Sequence, residues 1–291
     1  MGVIVVTQEE VPGLLPMGEC VDVMAETLKT LARGDAILPL RSLIHLPDKS
    51  GLLGLMPGYL GAPRVMGLKV VSVMPGNHGT EFDAHQGAVL IFETEHGCLL
   101  AVIDASSITQ IRTAAVSGAA TRALARPEAG DLAILGSGVQ AESHLEAMKA
   151  VRPLRRVRAW SRAFESAQRF ATQQSKRMGI AVEPMRSAEQ AVEGADLICT
   201  TTAAKEPILM GEWIAPGAHI NAVGACFPTT RELDTAAMKR SRLYVDRRES
   251  ALNESGDFLI AKREGAFGDD HILGEIGEVL LGQDPGRASP G

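Results

Sequence analysis

A glycine-rich segment in the middle of the chain has the composition of a phosphate-binding loop. Residues 136–141 read Gly-Ser-Gly-Val-Gln-Ala and fit the pattern G-x-G-x-x-A, directly after the apolar run 132–135. Gly136 permits a sharp turn, Gly138 lets a pyrophosphate approach the backbone amides, and Ala141 keeps the following helix close to the sheet. The helix N-terminus adds partial positive charge. The segment therefore predicts a dinucleotide site rather than a glycine turn without a ligand.

The end of the next predicted strand indicates which dinucleotide binds. An NAD site usually has an acidic residue there to bond the ribose 2′-hydroxyl, but Trp160 is followed by Ser161 and Arg162. These two side chains can bind a 2′-phosphate, which a carboxylate would repel. The sequence therefore predicts NADP(H) over NAD(H). The alternative is that Arg162 belongs to an exposed basic stretch with Arg152, Arg155, Arg156 and Arg158.

Three cationic residues stand among apolar neighbours. Lys69 lies within Leu-Lys-Val-Val, Arg112 follows Ile111, and Arg41 follows Leu-Pro-Leu. An unpaired cation in such surroundings is costly, so each either reaches solvent or faces an anion. Arginine binds a carboxylate through two parallel hydrogen bonds, and lysine adds a point charge. Taken singly each side chain is best interpreted as structural, whereas together they would suit an anionic substrate; their spacing does not show whether they converge.

The first part of the chain mixes one helix with several strands. Apolar residues recur at helical spacing over 21–32, and Gly34 ends that helix. Residues 65–73 are typical of a strand, and 88–92 and 98–103 of a hairpin pair. Residues 51–54 are interpreted as a turn that precedes Met56. Residues 108–125 form a predicted helix rich in small residues.

From residue 132 onward strands and helices alternate. Strands are predicted at 132–135, 156–160, 180–184, 196–200 and 218–223, with helices at 139–151 and 163–178. This alternation predicts an α/β fold, a Rossmann doubly wound parallel sheet, beside a smaller α+β substrate and dimerisation domain. We place the boundary between 1–115 and 116–271, with 272–291 returning to the first domain.

Composition excludes several classes of protein. The chain has 291 residues, 45% of them hydrophobic and 22% charged, which fits folded domains rather than disorder or a membrane protein. A net charge of −6 argues against a nucleic-acid partner. The four cysteines are widely separated and show no zinc or disulfide spacing, and the N-terminus is unlike a signal peptide. We expect a cytoplasmic protein.

One loop-like stretch contains potential metal ligands. His78, Asp83 and His85 lie close together in sequence, but their spacing matches no established metal site. We expect a solvated or substrate-facing loop and no metal.

Six segments in this order resemble the ornithine cyclodeaminase/mu-crystallin family. They are 41–47 (RSLIHLP), 51–57 (GLLGLMP), 67–71 (GLKVV), 111–115 (IRTAA), 136–141 (GSGVQA) and 219–224 (HINAVG). The resemblance covers nearly the whole chain. It implies a Rossmann domain with a substrate and dimerisation domain, and a homodimer.

The resemblance also implies roles for particular residues. The positions of Arg41, Lys69 and Arg112 hold the substrate α-carboxylate in the family, and Met56 would line the substrate pocket. The residues expected to contact the dinucleotide are Thr113, Gly136, Gly138, Val139, Gln140, Ser161, Arg162, Val223 and Gly224.

The chain departs from the family pattern in two places. Cyclodeaminases carry a catalytic Asp shortly after the late Val-Gly, where this chain has Cys226. Cysteine is a poor substitute in that proton transfer, so we interpret Cys226 as a small buried hydrophobe and the chain as closer to the ketimine reductase and mu-crystallin branch. Family members also continue past the position of Gly291, which predicts either a longer native chain or a remodelled end.

The resulting hypothesis is an NADPH-dependent reductase of cyclic α-imino acids, such as Δ1-pyrroline-2-carboxylate or Δ1-piperideine-2-carboxylate. Lys69 is the candidate catalytic proton donor, with a bound water as its rival. The alternatives are an alanine-type amino-acid dehydrogenase, an ornithine cyclodeaminase, and a non-catalytic binder of NADP and a small ligand similar to mu-crystallin. The sequence leaves the ring size and the physiological direction open.

Overall fold

The structure, a computed structural model, describes residues 2–77 and 79–289. His78 and the terminal Pro290 and Gly291 lie outside the described residues, so the metal ligand suggested at His78 and the last positions of the chain are not located. The described chain forms two compact units, of which the first ends at Thr113 and the second begins at Ala114.

The first unit is built on a seven-stranded sheet. Its strands are β1 (Ile4–Val6), β2 (Ala36–Ile37), β3 (Ser42–His45), β4 (Leu52–Gly61), β5 (Arg64–Val73), β6 (His85–Glu93) and β7 (Leu99–Asp104). The order is β1-β7-β6-β5-β4-β2, with β3 also paired to β4. Strands β4 to β7 are antiparallel, and β1 runs parallel to β7. The expected turn at 51–54 is wrong, because Leu52, Leu53 and Gly54 belong to β4, where they pair with β5.

Three helices accompany this sheet. They are α1 (Val11–Leu14), α2 (Met17–Ala32) and α3 (Ala105–Leu124), of which α3 continues into the second unit. Helix α2 buries Cys20, Val21, Ala25 and Leu28 at helical spacing, as the sequence predicts. Gly34, which follows α2, has a φ of +81°, a conformation that favours glycine. No helix among the described residues is both long and apolar enough to cross a lipid bilayer.

The second unit contains a five-stranded parallel sheet. Its strands are β8 (Asp131–Leu135), β9 (Arg156–Trp160), β10 (Val182–Met185), β11 (Leu197–Thr200) and β12 (His219–Ala222), in the order β10-β9-β8-β11-β12. Helices α4 (Val139–Val151), α5 (Phe164–Met178) and α6 (Ala188–Val192) follow the first three strands. The order third-second-first-fourth-fifth is that of a doubly wound Rossmann sheet, so the predicted fold class is confirmed.

The core of this unit lies in the sheet itself. Leu132, Ile134, Leu135, Leu197 and Ile198 are all fully buried. Near-continuous apolar strands are typical of a parallel sheet covered by helices on both faces. Gly136, Ser161 and Val223 directly follow the carboxyl ends of β8, β9 and β12.

The rest of the second unit is a smaller α/β segment. It contains α7 (Thr235–Arg240), β13 (Leu243–Val245), α8 (Arg248–Glu254), α9 (Gly256–Arg263), β14 (Ile272–Glu275) and α10 (Ile276–Leu280). Strand β14 pairs with β13, and the Nε of Arg287 donates to the carbonyl of Leu124 at 2.6 Å. The structure thus groups residues from 272 onward with the second unit, whereas the sequence analysis expected them with the first. The functional division into domains stays a prediction.

Candidate functional site

The glycine loop after β8 requires glycine at its first position. Gly136 has a φ of +133°, and a Cβ there would lie 2.5 Å from the Oγ1 of Thr201. Its amide donates to the carbonyl of Trp160 at 2.8 Å, which ties the end of β8 to the end of β9. Any other residue would be strained at this turn.

Gly138, unlike Gly136, has open space where a side chain would lie. Gly138 is the N-cap of α4, no side chain caps the helix there, and a Cβ at Gly138 would meet no atom within 4 Å. Ala141 is fully buried, so the first turn of α4 packs closely on its unit. Open space in front of uncapped helix amides fits the pyrophosphate of a dinucleotide. The side chains that flank this space are the exposed Val139 and the partly buried Gln140.

The end of β9 connects to the same loop. The Oγ of Ser137 donates to the Oγ of Ser161 at 3.0 Å. Arg162 is exposed and makes no ion pair with any residue in 2–77 or 79–289. The hydroxyl of Ser161 therefore lies beside the glycine loop, and Arg162 is the next residue along the chain.

The arginines of the expected basic stretch bind elsewhere. Arg155 pairs with Asp131 and Asp196, and Arg156 pairs with Glu183. Arg152 donates to backbone carbonyls at the end of α3, and the buried Arg158 donates to the carbonyl of Gln190. Arg162 follows the opposite end of β9 from Arg155 and Arg156, and its expected role in binding a 2′-phosphate stays a prediction.

A buried carboxylate holds the ends of β11 and β12 together. Oε1 of Glu232 accepts hydrogen bonds from the amide and the hydroxyl of Thr202, both at 2.6 Å, and Oε2 accepts the amide of Gly224 at 2.7 Å. Glu232 is fully buried, and burial raises the pKa of its carboxyl group. A Cβ at Gly224 would lie 2.0 Å from the carbonyl oxygen of Thr202. Val223 and Gly224 are thus fixed in a tight backbone contact at the carboxyl end of the sheet.

Sequence reasoning missed this acid and its support. Asp257, on α9, accepts the amides of Glu232 and Leu233 at 2.8 and 2.9 Å. Both carboxylates are buried, and burial raises the pKa of Asp257 as well. The sequence signal that could have pointed to Glu232 is its position between the end of β12 and an apolar residue. The sequence alone does not show that this glutamate is buried.

The expected burial of Cys226 is wrong. The Cys226 side chain is exposed, and its neighbour Ala225 takes the buried position. The amide of Cys226 donates to the carbonyl of Gly224 at 3.0 Å. This tight turn directs the thiol outward and leaves the small Ala225 inside.

In the first unit, Lys69 lies in the middle of the sheet. Its direct cross-strand partners are Met56 on β4 and Val89 on β6. Residues directly opposite each other project from the same face, so Met56 and Lys69 are neighbours on one face. The Nζ of the half-buried Lys69 donates to the Oγ1 of Thr109 on α3 at 3.2 Å. The first turns of α3 therefore lie over this face.

The two predicted arginine partners approach the same surface. Arg112 is three residues after Thr109 and so lies on the same side of α3. Burial raises the pKa of the Cys20 thiol on α2 to about 11, and the nearby positive charge of Arg112 opposes this rise. Arg41 directly precedes β3, whose register on β4 (Ser42 opposite Leu55) leads towards Met56. The structure thus brings Lys69, Met56 and Arg112 to one side of the sheet and directs Arg41 towards them.

A histidine also belongs to this surface. His85 is the first residue of β6 rather than a loop residue, and it alternates onto the same face as Val89. Burial and the positive charge of Lys69 lower the pKa of His85, while the negative charge of Asp83 raises it. The imidazole is therefore neutral near pH 7. The sequence analysis weighed His85 as a metal ligand and expected a solvated or substrate-facing loop instead. The described residues contain no group of three or more His, Cys, Asp or Glu side chains that could hold a metal.

Comparisons with known proteins agree with this architecture. The model of the ornithine cyclodeaminase/mu-crystallin family matches residues 2–291. The ketimine reductase mu-crystallin of Mus musculus is 44% identical over 253 residues, which cover 87% of this chain and 77% of that protein. A Δ1-pyrroline-2-carboxylate reductase of Bacillus cereus is 34% identical over 98% of this chain and 88% of its own length.

Two solved structures are similar over the whole fold. The Δ1-pyrroline-2-carboxylate reductase of Thermococcus litoralis, in complex with NADH and L-proline, has a TM-score of 0.95 at 34% identity and covers 99% of this chain and 89% of its own. An archaeal alanine dehydrogenase dimer with bound NAD has a TM-score of 0.92 at 32% identity and covers 100% of this chain and 88% of its own. The chain belongs to the ornithine cyclodeaminase/mu-crystallin family.

Proposed function

We propose that this protein reduces the C=N bond of cyclic α-imino acids, Δ1-pyrroline-2-carboxylate or Δ1-piperideine-2-carboxylate, with NADPH. The observation that carries the proposal is the half-buried Lys69, which shares one face of the sheet with Met56 and donates to Thr109 on α3, the helix that also carries Arg112. A carboxylate is the substrate group that such side chains recognise. The names of the similar reductases support the same substrate class.

The first role of the chain is to bind and orient the substrate. Arg41 and Arg112 would bind the α-carboxylate, and Met56 would contact the ring beside Lys69. Fixing the carboxylate fixes the imine carbon to which it is attached, and positioning of this kind supplies much of the rate enhancement in hydride transfer.

The second role is to supply a proton. A bound reduced nicotinamide supplies the hydride to the imine carbon. The Nζ of Lys69 would give a proton to the imine nitrogen, or would hold a water that does so. The Oγ1 of Thr109 accepts a hydrogen bond from this ammonium and thereby restricts its direction.

The residues of the second unit would bind the dinucleotide. The amides after Gly138 face open space for the pyrophosphate, with Val139, Gln140, Val223 and Gly224 as further contacts. Ser161 and Arg162 support NADP(H) over NAD(H), because no ion pair within the described chain neutralises Arg162. We also propose a homodimer, as in the dimeric alanine dehydrogenase, and a cytoplasmic location; light scattering and cell fractionation test these two statements.

A substrate panel tests the proposed reaction. Oxidation of NADPH and of NADH is followed with each cyclic imine and with linear keto acids, with and without ammonia. We expect turnover of a cyclic imine without ammonia and a higher kcat/KM with NADPH. Absence of turnover with every cyclic imine contradicts the proposal, and a higher kcat/KM with NADH contradicts the cofactor preference alone.

The same panel distinguishes the proposed imine reductase from the second candidate, an alanine-type dehydrogenase. That candidate is favoured by the 32% identity to the archaeal alanine dehydrogenase, and it requires ammonia with a linear keto acid. An ornithine cyclodeaminase would instead release ammonia from ornithine without net consumption of cofactor.

A further inference from the structure

A second arginine lies at the carboxyl end of the parallel sheet beside Ser161. Arg186 directly follows β10, and the last residue of β10, Met185, is paired with Trp160, the last residue of β9. The two strands are parallel, so Arg186 and Ser161 leave the sheet at the same edge. No feature of the glycine-loop pattern singled out Arg186.

The guanidinium of Arg186 is held in place by an aromatic ring. Its central carbon lies 4.2 Å from the centre of the Phe164 ring. Phe164 is the first residue of α5, two positions after Arg162. Arginine stacks on aromatic faces while its N–H groups remain able to donate at the edge of its plane. The contact therefore restricts an otherwise mobile cation to the neighbourhood of Arg162.

The positive charges of Arg162 and Arg186, at the carboxyl ends of β9 and β10, are not paired with neighbouring acidic residues in the described chain. The acidic residues nearest in sequence are Glu165, Glu183 and Glu189; Glu165 and Glu189 are exposed, and Glu183 is paired with Arg156. Within residues 2–77 and 79–289, neither Arg162 nor Arg186 forms an ion pair. At the opposite end of the same strands, Arg156 is paired with Glu183. Two arginines without a carboxylate partner fit a phosphomonoester dianion, which can accept bidentate hydrogen bonds from guanidinium groups.

We propose that Arg186 is a specificity-determining residue that binds the 2′-phosphate of NADP(H) together with Ser161 and Arg162. The proposal rests on the proposed preference for NADP(H) and adds a residue to that site. Phe164 acts as a positioning residue, because it contacts the guanidinium of Arg186 and not the phosphate.

Calorimetric titration of the whole chain with two probes isolates the phosphate. Adenosine 2′,5′-bisphosphate carries the 2′-phosphate, and 5′-AMP lacks it. We expect Arg186→Gln to weaken the bisphosphate roughly tenfold or more, since a charge-assisted hydrogen bond is lost, and to change 5′-AMP affinity by less than about twofold. Arg186→Lys, which keeps the charge and loses the planar fork, should fall between the two. Phe164→Leu should weaken the bisphosphate by less than Arg186→Gln does.

Arg156→Gln is the matched control, because it removes one arginine charge from the other end of β9. It should leave both affinities unchanged, and thermal melting should show all four variants folded. The proposal for Arg186 is overturned if Arg186→Gln alters both ligands equally or neither. If the unaltered chain binds the two probes equally well, the NADP(H) preference fails and the role of Arg186 fails with it. If the unaltered chain prefers the bisphosphate and Arg186→Gln keeps that preference, only the role of Arg186 is excluded.

Discussion

The sites proposed in the two units would bind anions by different physical means. In the first unit, cationic side chains project from an apolar sheet and from helix α3, around Lys69 and Thr109. In the second unit, the groups proposed to bind an anion are the uncapped backbone amides at the start of α4, and the feature that supports this is the space left at Gly138. A side-chain site can be removed by truncating one residue, whereas a backbone site is blocked by adding atoms. The two sites therefore call for opposite kinds of substitution.

Removing the guanidinium of Arg112 in the first unit is expected to have the largest effect on kcat/KM. Arg112→Met keeps much of the apolar stem and removes the charge, so kcat/KM for the cyclic imine should fall roughly a thousandfold, which corresponds to about 4 kcal/mol. Steady-state kinetics measures this, and titration with the dinucleotide should show unchanged affinity. Arg33→Met, which changes an exposed arginine after α2, is the control. It should leave kcat/KM and dinucleotide affinity unchanged. A parallel loss of dinucleotide affinity would mean that the two sites are not independent.

Adding a methyl group at Gly138 or at Gly136 in the second unit should affect dinucleotide affinity and the free energy of unfolding differently. Gly138→Ala places a methyl group in open space, so the free energy of unfolding should change by less than about 1 kcal/mol while dinucleotide affinity falls on the order of a hundredfold. Gly136→Ala should instead cost about 2–3 kcal/mol of stability, because its φ of +133° and its 2.5 Å approach to Thr201 exclude a Cβ. Urea unfolding and calorimetric titration measure the two quantities. Normal dinucleotide binding by Gly138→Ala would show that the loop does not hold the pyrophosphate.

Sequence patterns predicted the parallel sheet of the second unit better than the sheet of the first, although they placed no helix or strand beyond residue 223. Strand β9 and helix α4 begin and end where the sequence analysis placed them, because apolar runs and helical spacing are local properties. Strand β4 was missed since Gly54, Pro57 and Gly58 interrupt its pattern; its conformation is determined by pairing with β5, which is not a local property.

The candidate site was predictable to the extent that its residues were locally unusual. Lys69 stood out as a charge within an apolar strand, and Gly138 stood out through its spacing. Glu232 and His85 did not, because their environments come from residues outside their own strand or loop. The acid accepts from the hydroxyl of Thr202, 30 residues away, and the positive charge of Lys69, on the neighbouring strand, acts on the histidine. Burial of a polar group depends on tertiary packing.

A buried histidine should make the second unit sensitive to acid. The His144 ring contacts the carbonyl of Gln140 at 2.6 Å and the hydroxyl of Ser117 at 3.0 Å, and burial lowers its pKa to about 4 from an ordinary value of 6.5. Between these values the unfolded chain binds a proton that the folded chain does not. Stability is therefore lost as the pH falls from about 6.5 to 4, by about 3 kcal/mol.

Urea unfolding across this pH range checks the effect. His144→Gln can still contact Ser117 and does not titrate, so the difference in stability between the two proteins should change by about 3 kcal/mol over the window. An unchanged difference would show that His144 is protonated in the folded state. The result also tests whether acid weakens helix α4, whose first amides are proposed to bind the pyrophosphate.

The smallest expected effect concerns the contact between Lys69 and Thr109. Thr109→Val is nearly isosteric and removes the hydroxyl that accepts from Nζ at 3.2 Å. One neutral acceptor contributes about 1 kcal/mol, so kcat/KM for the imine should fall about fivefold, mainly through kcat if Lys69 supplies the proton and through KM if it only binds the carboxylate. Thr109→Ser retains the hydroxyl and should keep near-normal kinetics. An equal loss in both variants would show that the threonine methyl group, rather than the hydrogen bond, orients Lys69, and the first site would then depend on apolar packing as much as on charge.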